Sequence, residues 1–428
     1  MSDPKSVVVV GAGLSGLCCA RHLQRAGHTV RVYEASDGVG GRVRSDRVDG
    51  FTLDRGFQVL FTAYPAVRRE LNLEALKLQA FQPGAIVYRD GKRFELSDPY
   101  RQPLKALGTA LSPLCSQRDK LRILKLRRIV RRKSVEDCFW IPDKRIESYL
   151  ARQKFTARCI NGFFRPFYAG IFLENDLSTS ARMFEFVFKM MAEGKTALPA
   201  NGMGAVAQQL ASGLKPETVL LNTPVRTLLR ADNQVTGVAL EDGSEVAADA
   251  VVVATEADVA ARLTGLKLPV EHRSVTCLYF SLPVKAYPEK KILLFAEPNP
   301  YAEAEQQLVN NAALLTNVAP SYAPAGKHLL SVTVLGDPPL SDETLAERVK
   351  AEIASYFPAV KPAGWRLLRI YRIRWAQFAQ PVGIFERLPE ADSPIPGLVL
   401  GGEITVSSSL HGALVAGQKA AGVVLTNA

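Results

Sequence analysis

Two glycine clusters and one acid near the start of the chain have the types and spacing to hold a phosphate-linked nucleotide. Gly11-Ala12-Gly13-Leu14-Ser15-Gly16 follows four valines, Val7 to Val10, and precedes a helix-like stretch. Glycines at this spacing allow a tight turn and close backbone approach to a pyrophosphate. The helix N-terminus behind them offers free N–H groups and a favourable dipole to the anion. Glu34 stands about twenty residues on, where a carboxylate accepts both ribose hydroxyls and repels a 2′-phosphate, which disfavours NADP. Gly38, Gly40, Gly41 and Arg42 form a second glycine-rich turn, closed by a cation that can pair with the far side of a pyrophosphate. The candidate contacts here are Gly11, Gly13, Leu14, Ser15 and Gly16, then Glu34 and Ala35, then Gly40, Gly41 and Arg42. Residues 7–34 alone specify a dinucleotide and not which one.

The elements that must position these groups are legible from pattern. Val7–Val10 is a continuous apolar run, as in a central parallel strand covered on both faces. Leu14–Ala26 reads as a helix, and Gly27 is a natural left-handed stop. Thr29–Tyr33 is a second strand ending on Glu34. Ala250–Ala254, ending at Thr255, and Gly397–Leu400 are two more buried runs. The last leads through Gly401-Gly402-Glu403 into a serine-rich turn, then His411-Gly412-Ala413 and a helix to Val424. Between these segments, Tyr64–Leu73 and Ala205–Ser212 are predicted helices, and Gly84–Leu96 is a hairpin turning at Asp90-Gly91. Val219–Leu229, Gln234–Leu240 and Ser244–Ala247 are predicted strands. Further strands are expected at Ser274–Leu282, Lys291–Phe295, Leu314–Val318, Leu329–Leu335 and Trp365–Trp375. Asp342–Tyr356 is a helix with Ser341 as its cap.

With those motifs in place, the sequence resembles the FAD-dependent superfamily of amine oxidases, protoporphyrinogen oxidases and phytoene desaturases. The likeness rests on the first glycine turn, the acidic strand end, Gly40-Gly41-Arg42, the segment Phe51-Thr52-Leu53-Asp54-Arg55-Gly56, and the Gly402-Glu403 pair near the other end. It implies FAD rather than NAD, and with no cysteine immediately before Gly397 to tether the flavin the FAD is expected to be noncovalent. It places Gly56, Phe57 and Gln58 beside the isoalloxazine, and assigns Val225 to the adenine through its backbone. Ala254 and Thr255 would end the returning strand beneath the cofactor. Gly402 and Glu403 would bind the ribityl or pyrophosphate region. The helix start at His411, Gly412 and Ala413 would face the pyrimidine edge of the flavin, where its dipole stabilises charge gained on reduction. The implied fold is α/β: a discontinuous Rossmann-like FAD-binding domain (residues 1–80, 196–270 and 391–428) and an α+β substrate domain (81–195 and 271–390). That second domain has a mixed sheet and a helical cap at about 100–195.

Composition narrows the function. The chain has 428 residues, long for one core, and contains no apolar run of about 18 residues. Its start leads directly into a strand, leaving no room for a signal or transit peptide. Six cysteines without a CxxC pair and five histidines predict no structural zinc and no disulfide framework, in keeping with a reducing cytosol. The net charge of +11 suggests nucleic acid, but Arg118–Lys133 alone carries +8, so the excess is one segment and no nucleic-acid partner is expected. That segment reads either as contact with an anionic membrane on the cytoplasmic face or as a solvated helix packing a narrow stripe. Five aromatics between Phe163 and Phe172, followed by Phe184, Phe186 and Phe188, read either as the lining of a large apolar cavity or as ordinary core. Arg366, Arg369, Arg372 and Arg374 read as the wet edge of a sheet.

The sequence holds no GxSxG, HExxH or Walker motif, so a bound cofactor must supply the chemistry. The absence of a second GxGxxG points to reoxidation by oxygen, a quinone or another bound acceptor. The first expectation is hydride transfer to flavin N5 from a large apolar substrate, such as a carotenoid, an isoprenoid or a tetrapyrrole-like molecule. The alternatives are an amine oxidase releasing hydrogen peroxide and a flavin-binding assembly protein. Ser409 stands where amine oxidases usually place a cage aromatic, which favours the first. Candidates for polar chemistry near the flavin are His411, Gln58 and Gln380.

Overall fold

The computed structural model describes residues 4–296, 307–358 and 360–426. Its organising layer is a five-stranded parallel sheet in the order Val219–Leu220, Thr29–Tyr33, Ser6–Val10, Ala250–Val253, Leu398–Leu400. Three distant chain segments thus share one sheet. The central strand pairs Val7 with Ala250 on one side and with Val30 on the other. Val7, Val8, Val9 and Val10 are all buried, as a strand covered on both faces requires. The helix Leu14–Arg25 leaves the end of this strand and packs along the C-terminal helix Leu410–Thr426. Contact is close because Gly417 lies where a Cβ would collide with the Ser15 carbonyl. A three-stranded antiparallel sheet, Val225–Ala231, Gln234–Leu240 and Glu245–Ala247, flanks the layer.

The second layer is a seven-stranded mixed sheet. Its order is Arg366–Phe378, His272–Leu282, His328–Leu335, Val309–Leu314, Ile292–Phe295, Gly84–Arg89, Lys92–Ser97. The helix Asp342–Ser355 buries Leu345, Val349 and Ile353 beneath it, and Ser341 Oγ caps its start at Thr344 N. After the hairpin the chain forms a helical cap against the seven-stranded sheet: Gln117–Arg132, Val135–Phe139, Ile146–Arg152, the continuous stretch through Ile160–Phe164 and Arg165–Phe172, and Ala181–Glu193. Phe164, Tyr168, Phe184 and Phe186 fill its interior.

Several expectations are corrected. The strand expected at Leu314–Val318 is Val309–Leu314, and Leu315–Val318 is a helical turn. Asn310 and Asn311 hid it, being poor strand formers. Asn310 Nδ2 donates to Asn311 Oδ1 and Asn311 Nδ2 to Thr333 Oγ1, which lets all six strand residues be buried. The single run Val219–Leu229 is two strands, interrupted by Asn222 in a left-handed conformation (φ 52°) and by Pro224. The helix expected to Leu73 stops at Glu70, where Leu71 turns extended. Cys115 and Cys159 form a disulfide, against the expectation of none. They lie 44 residues apart and meet only because the cap folds back on itself, which linear spacing cannot reveal. Among the described residues, no helix is long and apolar enough to cross a membrane.

The basic helix runs over Gln117–Arg132 and begins with a complete capping box between Ser116 and Asp119. Leu126 and Val130 enter the core, and Leu121, Ile123 and Leu124 line a cavity. On the edge strand Arg366–Phe378, Arg366 pairs with Asp49, Arg369 with Asp46, and Arg372 with Asp337 and Asp342. This is the wet edge that the alternation indicates, held by surface ion pairs.

Candidate functional site

The two glycine turns are one structure. Gly40 N–H donates to the Ala12 carbonyl at 2.8 Å, and Gly13 and Gly40 form a parallel bridge. Gly11 has φ +101°, and a Cβ there would lie 2.9 Å from the Ala254 carbonyl oxygen. A Cβ on Gly16 would collide with the Gly11 carbonyl, whereas one on Gly13 would meet nothing within 4 Å. Gly11 and Gly16 are therefore required by the fold, and Gly13 opens onto free space. Gly13 caps the helix Leu14–Arg25 without any side-chain hydrogen bond, so the first N–H groups of the helix stay available to an anion. Ser15 Oγ donates to the Gly401 carbonyl, joining this turn to the C-terminal motif.

Glu34 is buried at the strand end. Its Oε2 accepts from Ala12 N–H at 2.7 Å, and Oε1 accepts from Ser36 N–H at 2.9 Å and Ser36 Oγ at 2.7 Å. Ala35 beside it is exposed. Asn222 N–H donates to Ser36 O and Thr223 N–H to Glu34 O, which brings Val225 to the same end of the sheet. Ala254 N–H donates to Val10 O, and Thr255 ends that strand half-buried.

Arg42 is the charged centre of the cradle. Its guanidinium lies 2.8 Å from Glu403 and 3.8 Å from Glu256, and donates to the Ala376 carbonyl at 2.9 Å. Burial opposes its charge, but Glu403 and Glu256 more than offset this and hold its pKa above the ordinary value. Burial pushes the Glu256 carboxyl up, Arg42 works against that, and Asp258, Glu403 and Glu34 add to it. Glu256 is a residue that sequence reasoning missed. The available signal was its place directly after Thr255, at the end of a buried strand.

The three candidates for polar chemistry are all tied to protein groups. Gln58 Nε2 donates to the carbonyls of Arg42 at 2.7 Å and Arg55 at 3.1 Å, fixing the loop that carries Gly56 and Phe57. Gly56 has φ +92° and passes under Ile373. Gln380 Oε1 accepts from Ser408 N–H at 3.0 Å, beside the Ser408 hydroxyl that contacts Glu403. His411 Nδ1 accepts from Ala66 N–H at 3.3 Å, and its ring packs against Tyr64 and Phe186. Burial is the main cause lowering its pKa to about 4, so the imidazole is neutral at pH 7. Gly412 and Ala413 follow at the helix start. A Cβ on Gly412 would collide with the Ser407 carbonyl.

Asp54 was also missed as a site residue. It is fully buried, and its carboxylate receives Ser45 Oγ at 2.5 Å, Met203 N–H at 2.8 Å and Tyr322 OH at 2.9 Å. Tyr279 OH donates to its main-chain carbonyl at 2.8 Å. Burial raises its pKa to about 6 despite these donors. The strand Phe51–Asp54 is thereby clamped to the seven-stranded sheet, to the turn Pro320–Tyr322 and to the start of the helix Gly204–Ala211.

Phe57 marks the boundary of a cavity of about 1380 Å³. Its inner wall includes Phe57, Phe81, Phe163, Phe167, Ile171 and Phe188. Charged groups also line it, among them Asp98, Arg101, Lys120 and Arg127. The aromatic stretch thus serves both uses that were open for it, with Phe163, Phe167 and Phe188 in the wall and Phe184 and Phe186 in the core.

A Rossmann turn with free helix N–H groups, a ribose-side acid and a half-buried arginine fit a dinucleotide. The second glycine turn and the Gly402-Glu403 end of the chain, converging on one arginine, fit FAD. The chain is 24% identical to 15-cis-phytoene desaturase of Synechococcus elongatus, over 98% of this chain and 95% of that protein. Among solved structures it is similar to an oxidoreductase from Methanosarcina mazei (TM-score 0.74, 18% identity, 98% and 100% of the two chains). It is also similar to putrescine oxidase (TM-score 0.72, 20% identity, 99% of each chain). These two likenesses show the fold. The family model of flavin containing amine oxidoreductases matches residues 14–425, and the chain belongs to this family as an FAD-dependent oxidoreductase.

Proposed function

We propose that the enzyme oxidises, desaturates or isomerises a large apolar molecule, of carotenoid, isoprenoid or tetrapyrrole-like class. FAD, when bound, would supply the redox chemistry as the two-electron acceptor. The observation that carries this reading is the apolar cavity of about 1380 Å³ reaching Phe57, the residue that the resemblance sets beside the flavin. That volume exceeds the roughly 300–1000 Å³ of ordinary small-ligand pockets. The chain's own residues hold and orient the reactants. Phe163, Phe167 and Phe188 exclude water from the substrate, and Gln58 fixes the Phe57 loop. Arg42, half-buried and balanced by Glu403 and Glu256, supplies a positive charge on the cofactor side. Ser409 supports this reading over amine oxidation, because its hydroxyl accepts from Gly412 N–H at 2.8 Å and serves as a helix cap, leaving no aromatic cage there.

The basic helix is proposed to bring the mouth of the cavity to an anionic membrane surface. Leu121 is 67% exposed there among Arg118, Lys125 and Arg128, which suits an apolar anchor within a cationic face.

Anaerobic titration of the purified flavoprotein tests the substrate class. Flavin bleaching by an apolar lipid extract, with none by polyamines or aromatic amines, is the expected result. Bleaching by amines, with hydrogen peroxide released in air, would replace this reading by amine oxidation. Flotation with anionic liposomes tests the membrane contact. Wild type should float, and a charge-swapped 118–133 segment should not.

A further inference from the structure

A second group of chemistry-bearing side chains lies outside the cradle and the cavity. Cys18 and His22 stand one turn apart on the helix Leu14–Arg25, and Glu70 closes the helix Pro65–Glu70. The Cys18 Sγ, a His22 ring nitrogen and a Glu70 carboxylate oxygen all lie within 4.8 Å of one another. Cys18 is fully buried, the Glu70 side chain is 2% exposed, and that of His22 is 32% exposed.

The Glu70 carboxylate is lopsided. Its Oε1 receives His22 Nε2 at 3.1 Å and Gln418 Nε2, and faces Arg69 Nε at 3.5 Å. Its Oε2 is buried and has no hydrogen-bond partner among the described residues. A buried carboxylate oxygen without a donor leaves its lost hydration uncompensated. Such an orphan calls for a missing water or ion. The neighbours decide between these. A thiol is a poor partner for water, but thiolate, imidazole and carboxylate together form a ligand set for zinc. Magnesium and calcium are excluded by the same set, since they take six or more oxygen ligands.

Charge is consistent. A dication would be neutralised by one thiolate and one carboxylate. We propose that Cys18, His22 and Glu70 bind one divalent cation of the zinc class, with the half-exposed side of His22 leaving a fourth position to water. Binding releases the Cys18 proton to solvent and occupies the orphan oxygen. The ion would pin the helices Leu14–Arg25 and Pro65–Glu70 together beside Leu410–Thr426, the three helices behind the glycine turn. No cysteine–histidine spacing in the sequence advertises this site, because its third ligand comes from another helix.

The test uses the full-length FAD-loaded protein. After equilibration with zinc and removal of free metal, elemental analysis should find one zinc per chain. Cobalt(II) titration should give a thiolate-to-cobalt charge-transfer band. In Cys18→Ser the band should vanish and zinc affinity should fall by more than the roughly 10–100-fold that outer-sphere changes cost. His22→Gln, on the more exposed ligand, should lower affinity at least tenfold while the flavin spectrum stays unchanged, which keeps the test independent of whether Cys18→Ser folds. Substoichiometric zinc in wild type, a cobalt band that persists in Cys18→Ser, or unchanged affinity in His22→Gln would each overturn the proposal. None of these readouts depends on the substrate, so they stand apart from the proposed catalytic function.

Discussion

At Gly13, where a Cβ would meet nothing within 4 Å, the backbone itself forms the proposed cofactor surface. At Phe163 and Phe188 the side chains form the cavity wall. The cradle joins residues from both ends of the chain through main-chain bonds, as where Gly40 N–H meets Ala12 O and Ser15 Oγ meets Gly401 O. It is polar, and one arginine is held between two carboxylates. The cavity is drawn mostly from residues 57–127 and 163–197, with Ile292, Leu294 and Asn311 from the far sheet. It has an apolar aromatic wall and a charged margin. The contrast teaches that the cofactor end tolerates little change, because a backbone surface cannot be repacked, whereas a wall of side chains can exchange volume between neighbours.

The largest expected effect follows from the cradle. Gly16→Val puts a branched side chain where even a Cβ collides with the Gly11 carbonyl. The variant should purify without flavin absorbance and fail to take up added FAD. If the two regions are separable, a fluorescent apolar probe should still enter the cavity. Loss of probe binding together with FAD would show that the cradle also shapes the cavity, and the contrast would fail.

Next in size is the disulfide, which belongs to the cavity side alone. Cys115 lies in the cavity wall just before the basic helix, and Cys159 lies just before the aromatic stretch. Closing a loop of 44 residues stabilises by about 4 kcal/mol in the chain-entropy account. Cys115→Ser should lower the melting temperature of the chain by several degrees while flavin content remains stoichiometric. Equal loss of flavin would tie the cap to the cradle.

How legible each region was in the sequence follows from the same contrast. The glycine turns, Glu34 and Glu403 were visible because backbone binding demands particular residues at fixed spacing. The parallel strands were visible because burial on both faces leaves unbroken apolar runs such as Val7–Val10. The cavity was only half visible. Aromatics mark a core and a cavity wall equally, and the side of the helix on which Phe163 and Phe164 fall depends on packing against other segments. Asn310 and Asn311 concealed a central strand because the side-chain hydrogen bonds from Asn310 to Asn311 and from Asn311 to Thr333 do not show in a propensity. Cys115–Cys159 and the Arg42–Glu256 contact were invisible because each joins residues remote in sequence.

His411 stands between the two regions, and its pH dependence sharpens where it belongs. Its pKa falls from 6.5 to about 4 on folding, mainly through burial. The folded state therefore binds fewer protons than the unfolded state between those values. The stability contribution is fully present above pH 6.5 and is lost as pH falls through about 4, a loss of about 3 kcal/mol. His411→Asn keeps an acceptor for Ala66 N–H without a titrating ring. Denaturant unfolding should show wild type losing more stability than the variant between pH 6.5 and 4. Turnover at pH 7.5 should change by less than about tenfold, since general acid–base groups contribute roughly 100-fold or more. A larger fall would make His411 a catalytic residue and not a packing one.

The smallest expected effect lies at the rim of the cavity. Leu121 is 67% exposed, so replacing it leaves the fold nearly untouched, within about 0.5 kcal/mol. Leu121→Asp adds a negative charge to the cationic face of the helix Gln117–Arg132 while leaving Leu126 and Val130 in place. If substrate reaches the cavity over this helix from an anionic bilayer, liposome flotation should weaken several-fold, because each cationic charge near the surface contributes about 1 kcal/mol. KM for a membrane-presented substrate should rise by a similar factor, with kcat, flavin content and melting temperature unchanged. A Gly13→Ala change in the cradle makes the matched control. A Cβ there meets no protein atom within 4 Å, so it narrows only the space kept for the cofactor. It should weaken FAD binding and leave flotation alone. Should Leu121→Asp alter FAD binding, or Gly13→Ala alter flotation, the division between backbone cradle and side-chain cavity would not describe how this enzyme is divided.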